Sequence, residues 1–509
     1  MPERLIVRRG AYHDSVTLML VSRTGGAVEG ADAVAVGMAT PLNLELIAGQ
    51  GFDLAQAGDL SPNDLVIAIR ARDDAAADAV IEVVDRELAA KAVETGGATE
   101  RPRAKSVVAA GRRRPELSLA FLSIPGQHVA YEAAAALEAG LHVFCFSDGV
   151  ELETEAALKR RALERGLLFL GADCGTAIID GVALGFANAV ERGPVGIVGA
   201  SGTGIQEATC LLDSAGVGIS HAVGVGGRDL SAEVGGLMCR RGVELLAGDP
   251  ATEVIVVISK PPDPDVAGAI VEVAAAAPQP AVLAFLGLEE APSAPPGVEY
   301  AASVDMAAQR AAELVGRSVG PFEEVPLRPP APAGGYIRGL YCGGTLCKDA
   351  MSVVSAAVGR VSSNIPLRPE WRLADVQVSD DHTFIDFGED ELTEGRPHPM
   401  IDPSLRTERF EREARDPEVA VLLLDVVLGY GAHPDPGGEL APAIARVLGD
   451  RDDLNVIIAL CGADGDPQDL ARQRSSLLEA GAAVTRSNEH AAHMALQAIG
   501  VVEAPGVRR

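Results

Sequence analysis

The residues of this chain best suited to chemistry sit in glycine-rich turns that also carry hydroxyls. The plainest is Ser201-Gly-Thr-Gly204, which follows the apolar run Val195–Val198 and precedes a helical pattern through Ala208, Leu211 and Leu212. Gly199, Gly202 and Gly204 let the backbone turn sharply. Ser201 and Thr203 are residue types that cap helices. The first N–H groups of a helix have no internal partner and lie at the positive end of its dipole. Such a loop binds an anion, most often a phosphate or carboxylate; the alternative is a tight strand-to-helix turn without a ligand. Ser201, Gly202, Thr203 and Gly204 are therefore candidate anion ligands. Gly171-Ala-Asp-Cys-Gly-Thr, Gly224-Val-Gly-Gly-Arg-Asp and Tyr341-Cys-Gly-Gly-Thr are further turns of this kind. They add Gly226, Gly227 and the cation Arg228, and Gly343, Gly344 and Thr345. Each has plain turn chemistry as its competing explanation. Two such turns in different domains are expected to face one ligand from both sides.

A different signal lies in Gly395-Arg-Pro-His-Pro-Met-Ile-Asp402. Pro397 and Pro399 fix φ on both sides of His398. A stiff loop with Arg396, His398 and Asp402 suits a proton carrier or an anion ligand; a structural turn is the other reading. Asp425, ending an apolar run, and His433 are candidate pocket residues.

These side chains need strands and helices to aim them. Apolar runs without alternation recur between helical patterns: Leu117–Ile124, Leu141–Phe146 and Leu167–Leu170, then Val195–Val198, His221–Val225, Glu253–Ile258 and Ala281–Phe285, then Ile337–Tyr341, Thr383–Phe387, Val419–Val427 and Val456–Leu460. That pattern predicts α/β domains with parallel sheets covered on both faces, with ligands at the carboxyl ends of strands. The polar, arginine-rich stretch 96–115 reads as a surface loop, and 319–334, with five prolines, as an interdomain linker.

A length of 509 residues implies several cores. The net charge of −29 argues against nucleic acid or an anionic membrane as the main partner. Seven cysteines form no CxxC pair, which fits a reducing compartment and neither a disulfide framework nor a metal site. With no long apolar run and no signal-peptide pattern at the start, the cytoplasm is the expected location.

The order of these motifs resembles succinyl-CoA synthetase. Residues 117–318 look like its α subunit and 335–500 like the ligase domain ending its β subunit. Gly196-Ile-Val-Gly-Ala-Ser-Gly-Thr-Gly-Ile-Gln-Glu is similar to the phosphate loop of the synthetase, and Gly224-Val-Gly-Gly to its Gly-Ile-Gly-Gly. The FdrA family resembles the whole chain more closely. The shared strings include Gly226-Gly-Arg-Asp-Leu-Ser, Ser259-Lys-Pro-Pro, Gly339-Leu-Tyr-Cys-Gly-Gly-Thr-Leu, Gly395-Arg-Pro-His-Pro-Met-Ile-Asp-Pro and Leu423-Leu-Asp-Val-Val.

The resemblance implies a Rossmann-like CoA-binding-type domain within 1–190, flavodoxin-like ligase domains at 191–318 and 335–509, and the linker at 319–334. Glu207 matches the glutamate that steadies a phosphohistidine in the synthetase. The stretch that would hold that histidine, Phe285-Leu-Gly-Leu-Glu-Glu-Ala-Pro, has none. Neither a nucleotide-binding ATP-grasp segment nor the expected glycine-rich CoA loop near the N-terminus is present. By resemblance to FdrA relatives, the chain is expected to be an oxamate carbamoyltransferase subunit in allantoin breakdown. It would work in an oligomer with separate partner subunits and handle phosphate or carbamoyl phosphate, with no tightly bound cofactor. An acid–CoA ligase that borrows an ATP-grasp partner and takes CoA, and a non-catalytic scaffold, are the alternatives.

Overall fold

Alternating and continuous apolar runs produce two different kinds of sheet in this chain. The computed structural model describes all residues except 1, 12, 14, 59, 95–103, 289–292, 323–324, 329–334, 395 and 502–509. Most of the predicted linker and the centre of the arginine-rich stretch thus lie outside the described residues. The chain divides into a unit comprising 1–104 with 393–397 and a unit comprising 105–392 with 398–509.

In the first unit, β1 (Glu3–Arg8), β2 (Ala31–Met38) and β3 (Leu65–Ala71) form an antiparallel sheet ordered β1-β3-β2. Period-two alternation sends the two faces of β3 to different neighbours. Leu65, Ile67 and Ile69 pack with Leu18 and Val21 of α1 (Ser15–Gly26) and Val80, Val84 and Leu88 of α3 (Asp74–Glu94). Val66 and Ala68 pack with Phe52 and with Ile47 of α2 (Pro41–Gly49).

The second unit opens with α4 (Val107–Arg113), capped by Ser106 through Ala109 N at 3.1 Å. The reading of 96–115 as loop is corrected over this helix: arginine and alanine are good helix formers, and a short surface helix carries no apolar stripe. A three-stranded parallel sheet follows, made of β4 (Leu119–Leu122), β5 (His142–Cys145) and β6 (Phe169–Leu170), with α5 (Gly126–Glu138) and α6 (Leu152–Glu164) between the strands.

A seven-stranded sheet ordered β13-β12-β11-β9-β10-β7-β8 comes next. Its parallel strands are β9 (Val195–Gly199), β10 (Ile219–Gly224), β11 (Val254–Ser259), β12 (Ala281–Phe285) and β13 (Val298–Tyr300). Four helices accompany them: α7 (Gly202–Ser214), α8 (Leu237–Gly248), α9 (Pro264–Ala276) and α10 (Val304–Leu314). β7 (Thr176–Ile179) and β8 (Val182–Gly185) extend it as an antiparallel hairpin. Sequence reading passed over this hairpin because its strands are four residues each and turn at Asp180-Gly181, both at positive φ.

The last sheet, ordered β15-β16-β14-β17-β18-β19, is parallel throughout. It contains β14 (Tyr336–Tyr341), β15 (Ser362–Ser363), β16 (Thr383–Asp386), β17 (Val419–Val427), β18 (Asn455–Cys461) and β19 (Ala483–Thr485). α11 (Gly344–Val358), the short α12 (Asp390–Thr393), α13 (Ser404–Glu413), α14 (Pro436–Asp450), α15 (Leu470–Glu479) and α16 (Asn488–Ala498) connect and cover it. All nine residues of β17 are buried, as a central strand sandwiched between helices requires.

The two large sheets are joined by polar contacts that leave little slack. Asn188 Nδ2 donates to Asp466 Oδ2 at 2.7 Å and to Leu428 O at 3.1 Å, and Ala189 N donates to Asp466 Oδ1 at 2.7 Å. Gln206 Nε2, from α7, donates to Asn188 Oδ1 at 3.1 Å.

Candidate functional site

Chain order reverses direction at one place in each large sheet. From β9 the chain runs outward to β10 and then returns to β11 on the other side; from β14 it runs to β15 and β16 and then to β17. Such switch points open a crevice beyond the strand ends. The loop Ala200–Gly202 leaves β9 there, and Cys342–Gly344 leaves β14.

The two crevices face each other. Ser201 Oγ accepts from Gly204 N at 2.9 Å, capping α7, and donates to Thr345 Oγ1 in the first turn of α11 at 2.6 Å. A β-carbon on Gly343 would lie 2.7 Å from Thr203 Cγ2, and one on Gly202 would lie 3.0 Å from Thr176 Oγ1. The facing turns expected from the sequence are therefore in contact. The N–H groups of Gly202 and Thr203, and of Gly344 and Thr345, precede the first possible intrahelical bond of α7 and α11. Gly343 N, expected to be free, is committed: with Cys342 N it donates to the Asp425 carboxylate, at 2.9 and 2.8 Å. Arg406 Nη1 holds the same carboxylate at 2.7 Å. Gly343 is thus corrected from ligand contact to scaffold.

Two lysines missed in the sequence flank this point. Lys260 directly follows β11 and Lys348 lies on α11. Desolvation first, then the charge of Lys260, pull the Lys348 ammonium below its usual range, so the two cations crowd one region. The signal available in sequence was the strand-end position of Lys260 in Ser259-Lys-Pro-Pro.

Asp386 is the second omission. It ends β16, is 3% exposed, and its Oδ1 accepts from Gly388 N at 2.9 Å. Its Oδ2 lies 2.5 Å from where a β-carbon on Gly344 would sit, directly over the start of α11. Burial, countered by the Gly388 N–H and Lys260 and reinforced by Glu389 and Asp425, raises its pKa to about 7.

His398 stands beside it. A β-carbon on Gly388 would lie 2.8 Å from His398 Nε2 and 3.2 Å from Asp386 Oδ1. His398 Nδ1 accepts from Met400 N at 3.2 Å, so the neutral ring carries its hydrogen on Nε2. The ring packs 5.5 Å from the centre of Phe186. Burial first, then Arg406, lowers its pKa to about 4. The expectation that Arg396 and Asp402 set its charge state is corrected. Arg406 is the cation that acts on it, Asp402 Oδ1 is taken by Ser404 N at 3.0 Å, and Arg396 is exposed. At neutral pH the ring is a hydrogen-bond donor and not a proton carrier.

The remaining candidates have structural employment. Arg228 Nη2 binds Glu155 Oε2 and Val150 O, both at 2.7 Å. Glu155 and Asp229 share Lys159 Nζ at 2.8 Å each, all three fully buried, which ties α6 to the start of α8. Gly226, at φ +86°, presses within 2.3 Å of Ala172 O at its β-carbon position, so no other residue fits; Gly227 beside it is exposed. Glu207 Oε1 accepts from Asn488 N at 2.8 Å, at the start of α16, with its pKa raised well above the usual range by burial and by Asp305. His433 is buried and its Nδ1 accepts from Asp435 N.

Comparison with known proteins places this chain in a family. The chain is 40% identical over 98% of its length, and 99% of the relative's, to "Uncharacterized protein YahF" of Escherichia coli. The chain belongs to the YahF family. Residues 340–498 match a CoA-ligase family, 190–287 a CoA-binding domain, and 1–104 a domain described as "AllF, heavy metal-associated domain". The α subunit of ADP-forming succinate–CoA ligase from Aquifex aeolicus is 32% identical over 28% of this chain and 47% of that protein. A dinucleotide-forming acetyl-coenzyme A synthetase from Ca. Korarchaeum cryptofilum covers 75% of this chain and 83% of its own at 18% identity, with a TM-score of 0.32. Residues 1–104 hold no cysteine and a single histidine, His13. Soft heavy metals need thiolate or imidazole ligands, so the residues present do not fit such an ion. Among the described residues no helix is long and apolar enough to cross a membrane.

Proposed function

We propose that this YahF-family chain is an FdrA-type subunit of a multi-subunit carbamoyltransferase, acting on oxamate and carbamoyl phosphate. The hydrogen bond from Ser201 to Thr345 carries the reading, because it brings two helix N-termini from two switch points to one place. A phosphate seated there meets the N–H groups of Gly202, Thr203, Gly344 and Thr345 and the ammonium groups of Lys260 and Lys348. The amide nitrogen of oxamate bonds to the carbamoyl carbon, the carbon–oxygen bond to phosphate breaks, and the nitrogen gives one proton to the departing phosphate. Fixed donors aimed at the leaving oxygen stabilise its growing charge. His398 Nε2–H orients the reactants as a neutral donor. Glu207, without a histidine to serve, holds α16 against α7. The AllF-like match over 1–104 supports a setting in allantoin breakdown. Oxalurate phosphorolysis by the complex reconstituted with partner subunits tests this. Activity that needs this chain and falls at least ~10²-fold in Lys348→Ala, the scale of a lost electrostatic donor, is expected. Full activity from the partners alone would overturn it.

The matches to CoA-binding and CoA-ligase domains favour a second reading, an acid–CoA ligase. CoA would supply a thiol as acyl acceptor, and the start of α7 with Lys260 would hold its phosphates. A rise in melting temperature with CoA, absent with phosphate, selects this reading.

A further inference from the structure

The acid over the start of α11 differs from Asp425, the buried carboxylate on β17. Asp425 is satisfied by two backbone N–H groups and Arg406. Asp386 uses only Oδ1, on Gly388 N, and among the described residues nothing donates to its Oδ2. That oxygen is aimed at Gly344, the first residue of a 15-residue helix, where an anion is favoured and a second bare carboxylate would be repelled by it. A carboxylate and an oxyanion share such a place only when one proton lies between them.

We propose that Asp386 is the proton-bearing contact of the anion site, donating from Oδ2 to an oxygen of a tetrahedral oxyanion seated on the N-terminus of α11. This rests on the anion site proposed above and names how it recognises its ligand. The groups that face Asp386 are consistent with the assignment. Glu389 in its own loop and Asp425 on β17 are like charges that keep the proton on it. Lys260 beyond β11 and Lys348 on α11 are the cations, and they are shared with the ligand. Cys347 on α11 and Cys342 after β14 are buried thiols held far above their usual range, hence neutral. His398 is neutral with its Nε2–H on the same side. The site then offers a tetrahedral anion a carboxylic acid, helix N–H groups and ammonium groups, and it favours a ligand with three or more acceptor oxygens over a planar carboxylate.

The test uses the full chain and inorganic sulfate, a tetrahedral dianion that does not titrate between pH 6 and 9, with acetate as the planar control. Isothermal titration should give sulfate affinity that falls about tenfold per pH unit once Asp386 loses its proton, above pH 7. In Asp386→Asn the amide donates in place of the acid, so sulfate should bind with a pH dependence flattened by that tenfold slope. If that variant misfolds, Lys348→Arg decides, because its guanidinium keeps its charge and leaves Asp386 as the titrating group: sulfate binding at pH 8 in buffers of different ionisation enthalpy should still take up about one proton per sulfate, on the same linkage. Identical pH dependence in Asp386→Asn and wild type, or no proton uptake, would overturn the role of Asp386 while leaving the anion site standing. No sulfate or phosphate binding at any pH would overturn the anion site itself and this proposal with it.

Discussion

His398 shows at the residue scale how position overrides type. Its prolines suggested a presented, titrating ring, yet burial against Phe186 and beside Arg406 lowers its pKa to about 4. The unfolded ring takes a proton near its usual 6.5 and the folded ring refuses it. Its contribution to stability is therefore complete above that value and lost as pH falls toward 4, by about 1.4 kcal/mol per pH unit. Urea denaturation at pH 5 and pH 7 should isolate this term as a difference: the change in stability between the two pH values should be more positive in the wild type than in His398→Gln. Gly388 is the companion case. Its replacement by alanine drives a β-carbon to 2.8 Å from His398 Nε2, and an overpacked core costs about 1–3 kcal/mol. A wild-type denaturation midpoint in Gly388→Ala would show that the ring is not held against residue 388. The turn Ser201–Gly204 was legible because helix capping leaves a local signature. Asp386 and Lys348 were not, because their neighbours come from strands and helices distant in sequence.

Among elements, the parallel strands could be read directly, since a strand covered on both faces is apolar almost throughout; Val419–Val427 is the plainest case, with Asp425 its one polar residue. The hairpin at Thr176–Gly185 and the helix at Val107–Arg113 lacked any such pattern. More consequential is what gathers where α7, α10, α11 and α16 meet: Glu207, Asp305, Asp349 and Glu489. Burial raises Asp305 to about 7, and burial with the neighbouring acids raises Glu207 and Asp349 well above the usual range. Ser487 donates to Asp305 and Ser303 to Glu489, whose pKa instead is lowered by hydrogen bonds and His493. Acids that keep protons on folding give stability that is full at low pH and lost as pH rises from about 4 through 7. Stability should thus fall across that window with the opposite sign to the His398 effect, and Asp349→Asn should lessen the fall. An unchanged slope in that variant would mean that Asp349 is ionised in the folded protein.

For the whole molecule, seven buried cysteines and a net charge of −29 set how it behaves in solution. Burial raises Cys145 and Cys174 to about 12, so the thiolate needed for reaction is scarce. A thiol reagent should label the native chain slowly and all seven sites on unfolding; rapid native labelling would mean an opening that the fold does not contain. In so acidic a protein, the pair Lys260 and Lys348 is the more telling, because cations gathered at one crevice raise the local concentration of an anionic ligand. They stand on different large sheets, one beyond β11 and one on α11, so a ligand that feels both must bridge the two halves. The most direct measurement is isothermal titration of phosphate into the wild type, Lys260→Ala and Lys348→Ala. The expected result is one phosphate per chain, weakened about tenfold or more by either substitution, the loss of one charge-assisted contact. Two independent binding events, or a single event that only one of the lysines affects, would contradict a shared anion site between the helix N-termini.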